Sequence, residues 1–171
     1  MGTIYSGWAK AKNGDATEGT SLLRSGSSAY RATGAELWVP HHIALLAEAH
    51  EIAGQIDQAS ALLDDALHVA ERTGERWLAS ELNRHKGRLL LRQGRPDEAE
   101  NLYRNSLSVA RDQQAKLWEL RSATALARLW RDQNRRDEGR DLLAPVYGWF
   151  TEGFETSDLK EAKVLLDDLG A

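Results

Sequence analysis

Residues 94 to 107 read GRPDEAENLYRNSL, and forty residues earlier, at 54 to 67, the chain reads GQIDQASALLDDAL. Shifting by forty again gives NGDATEGTSLLRSGS at 13 to 27 and NRRDEGRDLLAPVY at 134 to 147. A fixed period of this size means one supersecondary unit repeated four times, and such units are stable only when stacked on their neighbours.

Each unit has the pattern of a helical hairpin. Ile43, Leu46, Ala47 and His50 step by three, one and three, one face of a helix, and Gly54 stops it. Ile56, Ala59, Leu62, Leu63, Ala66, Leu67 and Ala70 form a second stripe that ends at Thr73-Gly74. The pair recurs as Leu78 to Gln93 with Pro96 to Arg111, and as Leu117 to Gln133 with Asp137 to Phe150. Pro96 suits a first helical position, and Asp97 and Glu98 suit the positive end of the helix dipole. Asp15 and Glu18 have the spacing of a capping box. Gly7, Ala47, Gly87 and Ala127 share one slot in the first helices, and Gly19, Ala59, Ala99 and Gly139 share one in the second. Small residues at matched positions let two backbones approach, and the column Leu22, Leu62, Leu102, Leu142 is expected to fill the space beside them. At the end, Leu159, Ala162, Leu165, Leu166 and Leu169 make a single apolar stripe behind Ser157, an expected N-cap, as in a terminal capping helix.

The two small slots, twelve residues apart, followed by a large apolar residue (Leu63, Tyr103, Leu143), resemble the tetratricopeptide repeat. The period is forty residues and the family's terminal proline is absent. That longer unit is similar to the C-terminal regions of large bacterial regulators, in which a nucleotide-cyclase or LuxR-type DNA-binding domain precedes an AAA-type ATPase. The stretches RATGAELWVPHHIALLAEAH, ERTGERWLASELNRHKGRLLLRQGRPDEAE and LLAPVYGWFTEGFETSDLKEAKVLLDDLG carry this likeness. It implies an all-α fold, a right-handed superhelical solenoid in a single repeat domain over 1–171. The repeats would fall at about 1–34, 35–74, 75–114 and 115–154, with a capping helix over 156–170.

Composition narrows the function. A net charge of -4 gives no general attraction to nucleic acid or to an anionic membrane, and no run of eighteen apolar residues occurs. With no cysteine there is neither a disulfide nor a thiolate metal site, and the expected setting is cytoplasmic. The five histidines show no metal-ligand spacing, and neither a phosphate loop GxxxxGK[ST] nor GxSxG occurs. No enzymatic activity, cofactor or metal is therefore expected.

The resemblance implies that the first helix of every repeat lines a concave surface. Mapped onto this sequence, that surface carries His41, Glu48 and Glu51, then Glu81, Arg84, Arg88 and Arg92, then Arg121, Arg128 and Arg131. Lys86 takes the slot of Leu46 and Leu126, so it must reach out or find an acid. The expected site is a basic groove for an acidic or extended peptide, formed by Arg84, Arg88, Arg121, Arg128 and Arg131 with Glu81, Lys86 and Glu48. Two other readings stand beside it: a small anionic effector in the same groove, and arginines paired internally with Glu48, Glu51, Glu81 and Glu119. Trp38, Trp77 and Trp118 recur at the start of the first helices as bridges between hairpins. Ile4, Tyr5 and Trp8, in a short first helix, are expected to face outward and to permit a homodimer.

Overall fold

The computed structural model describes residues 1–170, and the described residues are all helix and connecting turn. Four hairpins follow one another: α1 (Gly2–Lys12) with α2 (Ala16–Ala32), α3 (Val39–Ile52) with α4 (Ile56–Thr73), α5 (Ala79–Arg92) with α6 (Pro96–Asp112), and α7 (Lys116–Asp132) with α8 (Arg136–Tyr147). Helix α9 (Ser157–Gly170) packs on α7 and α8, in the place of a fifth first helix.

Helices α1 to α7 stop where the backbone turns left-handed. Positive φ occurs at Gly14, Gly34, Gly54, Gly74, Gly94, Gln114 and Asn134, so a stop signal recurs every twenty residues and cuts each forty-residue unit in half. At Gly54 the terminus is a Schellman motif: Gly54 N–H donates to the Glu51 carbonyl at 3.0 Å and Gln55 N–H to the His50 carbonyl at 2.9 Å. Gln114 and Asn134 make the same pair of bonds without a glycine. The capping box is half realised. Asp15 accepts the Glu18 amide at 3.1 Å, whereas the Glu18 carboxylate reaches Lys10 instead. Ser157 is the first helical residue of α9, because the Lys160 amide donates to the Thr156 carbonyl at 3.1 Å, which makes Thr156 the cap.

The small slots are where the hairpins close. A Cβ on Gly7 would lie 2.8 Å from the Gly19 carbonyl oxygen, and one on Gly19 would lie 2.7 Å from the Gly7 oxygen. Ala47 and Ala59 are fully buried in the second hairpin, and Gly87 faces Ala99 and the Tyr103 ring in the third. The space beside these contacts is filled by Leu23, Leu63, Tyr103 and Leu143, all buried. The expected column of Leu22, Leu62, Leu102 and Leu142 is only half-buried.

Burial runs along the stack in three clusters: one joins the first hairpin to α3, one the second hairpin to α5, and one the last two hairpins to each other and to α9. Between α5, α6 and α7 a chain of serines runs through the apolar packing. Ser80 and Ser106 exchange hydroxyl-to-carbonyl bonds of 3.0 and 2.7 Å, and the Ser106 and Ser122 hydroxyls lie 2.6 Å apart. Every one of these hydroxyls has a partner, so the seam is fixed by direction as well as by packing. No described helix is long and apolar enough to cross a membrane.

Candidate functional site

The first helices α3, α5 and α7 put their outer residues into one continuous depression. One part, about 270 Å³, is lined by His41, Glu48, Arg84, His85 and Arg88 with Trp118 and Arg121. The next part, about 280 Å³, is lined by Arg84, Arg88, Arg121 and Arg128, with Thr124 and Ala125 between them and Asp158 and Glu161 of α9 closing it. The two share three arginines, so a groove runs from His41 to Glu161.

Along one edge runs an aromatic ladder. The rings of Trp38 and Trp77 stand 5.0 Å apart and those of Trp77 and Trp118 6.2 Å, with His41 5.9 Å from both Trp38 and Trp77. The expected bridging of hairpins by these tryptophans is thus found, and Trp38 and Trp77 remain partly exposed. Trp38 has φ 69, unusual for so large a side chain. Its amide donates to both carboxylate oxygens of Glu75, at 2.9 and 3.0 Å, and Glu75 also accepts the Trp77 indole N–H at 2.8 Å.

The groove arginines divide by how firmly they are held. Arg84 makes a two-bond fork with Glu81 at 2.8 Å, and Arg121 makes one with Asp158 at 2.8 and 2.9 Å while also reaching Glu81 at 3.3 Å. Burial disfavours the charged form of Glu81, yet bonds and charge from Arg84 and Arg121 hold its carboxyl below the usual range. Arg128 touches only Glu161, at 3.5 Å, with both side chains about half exposed. Arg88 donates to Glu51 at 2.6 Å and keeps 44% of its side chain in solvent.

Glu51 is the hub of this end of the groove. It accepts from His85 at 2.7 Å, from Arg88 at 2.6 Å and from Arg92 at 3.1 Å, and its side chain is only 11% exposed. Burial alone would raise its pKa, but the His85 bond and the Arg88 charge bring it down to about 2.

Several expected members lie elsewhere or do other work. Lys86 leaves the groove and pairs with Asp64 of α4, because its slot faces the neighbouring hairpin. Glu48 pairs with none of the arginines: it accepts the Trp8 indole N–H at 2.6 Å and Lys12 at 2.9 Å. Glu119 is buried against Arg111 and Lys116, at 2.9 and 2.7 Å. Arg131 bonds Asp132 and Asp168 beyond the two cavities. Internal pairing is real, then, but its acids are largely Glu51, Glu81 and the α9 carboxylates.

The expected outward face of α1 is corrected as well. Ile4 is fully buried, set against Gly26 of α2, and Trp8 is half-buried by its bond to Glu48. Only Tyr5 of the three is exposed. Its ring stands 6.2 Å from that of His41, which brings it to the aromatic edge.

Comparison with known proteins bears on the same residues. Two family models described as tetratricopeptide repeat match, one over residues 35–112 and the other over 120–145. An uncharacterized protein of Rhizobium meliloti (strain 1021) is 29% identical over 133 residues, which is 77% of this chain and 12% of that protein. The chain thus spans about an eighth of the length of this curated relative. Among solved structures, a Podosopora anserina putative kinesin light chain with nearly identical TPR-like repeats superposes with TM-score 0.77 at 20% identity, covering 98% of this chain and 83% of that one. BtubC (BKLC) from P. vanneervenii superposes with TM-score 0.80 at 17% identity, covering 94% and 67%.

Proposed function

Residues 35–112 and 120–145 are tetratricopeptide repeats, and on that premise we propose that the chain is a non-catalytic protein-interaction module that captures an acidic, extended peptide segment in its concave groove. The observation that carries the reading is a cavity lined by four arginines, Arg84, Arg88, Arg121 and Arg128, and by only two carboxylates, Asp158 and Glu161 of α9. Arg88 and Arg128 supply the capture. The pair of Arg128 with Glu161 is exposed on both sides, so exchanging it for a partner's carboxylate costs little; Arg88 stays bonded to Glu51 and offers the 44% of its side chain that remains in solvent, and guanidinium forks suit carboxylates. Arg84 and Arg121, tied to Glu81 and Asp158, keep the wall in place. The aromatic ladder beside them favours a chain of several residues over a single ion, since flat rings suit the apolar parts of a peptide.

The wider setting belongs to the same proposal: a scaffold or sensor part of a larger cytoplasmic regulator. The twelve per cent coverage of the Rhizobium meliloti relative supports it, because a repeat block of this size there belongs to a much longer chain. Pull-down from extract, comparing the chain with its Arg88→Gln, Arg128→Gln variant, tests the groove. A partner lost with the variant, at unchanged helicity, is the expected outcome; the same partners on both proteins would sink the assignment.

A second reading rests on the enclosure of the four-arginine cavity, which would also suit a small anionic effector such as a nucleotide. A ligand of that kind raises the melting temperature with the logarithm of its concentration above its dissociation constant, whereas a groove that takes only peptides shows no such shift with nucleotides.

A further inference from the structure

Helix α3 has a second face. Its groove side carries His41 and Glu48, while Val39, His42, Ile43 and Leu46 turn the other way, toward α2 and α4. There they enclose a cavity of about 300 Å³ together with Leu62 and Asp65 of α4 and Arg24, Ser27, Ser28 and Arg31 of α2. The repeat itself explains the space. Position 27 corresponds to Leu67, Leu107 and Tyr147 in the later hairpins, and Leu107 is buried. Only the first hairpin places a serine there, and a large side chain is missing from the seam.

Two buried polar atoms on residues that line the cavity are left without partners. Ser27 Oγ and His42 Nε2 are both shut off from solvent and make no hydrogen bond. His42 is 2% exposed, in the slot that holds Leu82 and Ser122 in the next two repeats, and the Tyr30 ring braces it edge-on at 4.8 Å. An unpaired buried donor or acceptor is destabilising, so two at one cavity need an explanation. Arg31 lines the cavity and makes no ion pair among the described residues, while Arg24 lines it with one guanidinium nitrogen bonded to His50 at 3.1 Å. Val39, Ile43, Leu46 and Leu62 give the cavity an apolar wall. The size falls at the lower end of the range of small-molecule pockets, and the mixture of apolar wall with few polar groups is their usual make-up.

We propose that this cavity binds a small molecule consisting of a compact apolar body and a carboxylate. The carboxylate takes Arg31 and Arg24 at the rim and the Ser27 hydroxyl; His42, in its Nε2–H form, donates to it as well. The apolar body replaces the leucine that Ser27 omits. Asp65, the one acid lining the cavity, opposes an anion placed on its side and fits an ammonium if the molecule is an apolar amino acid. The site lies across α3 from the groove, so its failure and that of the groove reading are separable.

The test uses amide NMR shifts of the whole chain with phenylacetate, its neutral isostere phenylacetamide, and L-phenylalanine, which adds an ammonium for Asp65. Saturable shifts centred on Ser27, His42 and Ile43 with phenylacetate or L-phenylalanine are expected. Ser27→Leu, which restores the side chain of the other repeats, should raise the melting temperature and abolish those shifts. Arg31→Gln should weaken phenylacetate about tenfold, the worth of a charge-assisted hydrogen bond, and leave phenylacetamide unaffected. No saturable shift with either carboxylate, or a stabilised Ser27→Leu chain whose shifts match the wild type, would show a water-filled packing gap. Equal binding of phenylacetamide and phenylacetate would overturn the carboxylate.

Discussion

Replacing Glu51 with glutamine isolates the ion cluster that joins α3 to α5 across the groove. The glutamine keeps the shape and one acceptor oxygen but loses the charge that His85, Arg88 and Arg92 surround. Glu51 falls from an ordinary 4.5 to about 2 on folding, a depressed pKa. Its contribution is therefore complete above the unfolded value and disappears as pH falls toward the folded one. At about 1.4 kcal/mol per unit, the shift corresponds to about 3 kcal/mol near neutral pH, of which about 2 kcal/mol is gone by about pH 3. The 11% exposure of the carboxylate keeps solvent screening small on its side, although Arg88 and Arg92 are half in water. Urea unfolding followed by tryptophan fluorescence, at about pH 6 and about pH 3, supplies the comparison. Glu48, Glu81 and Glu119 are also held below their usual range, so both proteins lose stability in acid. The wild type should lose about 2 kcal/mol more than Glu51→Gln between those two pH values. Parallel losses would refute the assignment of Glu51 as the hub.

Other perturbations follow from the turns and slots. Gln114→Gly should stabilise the chain by about 1 kcal/mol in the same assay, because the residue sits at φ 54 where glycine has no Cβ to strain. Gly7→Ala should destabilise by about 2 kcal/mol, since its Cβ would stand 2.8 Å from backbone atoms of α2 that cannot rotate away. Lys86→Leu restores the residue type of Leu46 and Leu126 and frees an Asp64 that is already 58% exposed. Its stability should change by less than about 1 kcal/mol, and binding of a groove partner should be unaffected.

Much of the fold is legible in the sequence because its causes are periodic. A forty-residue register of Gly7, Ala47, Gly87 and Ala127 against Gly19, Ala59, Ala99 and Gly139 states where helices touch, and the structure joins those pairs. The left-handed stops are equally present as Gly14, Gly34, Gly54, Gly74 and Gly94, but their twenty-residue spacing is hidden where Gln114 and Asn134 continue it without glycine. Pairing between helices is less legible, because register gives a residue's slot and not the reach of its side chain. The charged neighbours of Lys86 in sequence group it with the groove, yet the slot it shares with Leu46 and Leu126 faces the preceding hairpin, where it meets Asp64. The three acids of α9 that meet Arg121, Arg128 and Arg131 look in sequence like the solvated flank of a cap. Ser27, Ser80 and Ser106 have one available signal, a polar residue in a column otherwise apolar or small, which the repeat alignment exposes column by column; Ser122 shares its column with His42 and stands out less.

On the proposed function, Arg88 and Arg128 present an acidic-segment site on the concave face. Selection of a random peptide display library on the immobilised chain, with the Arg88→Gln, Arg128→Gln variant as counter-target, tests this whatever the natural partner is. Enrichment is expected for peptides rich in Asp and Glu with an aromatic or apolar residue to meet the Trp38, Trp77 and Trp118 edge, and those peptides should lose their binding to the variant. Enriched peptides without acidic residues, or with equal affinity for the variant, would contradict it.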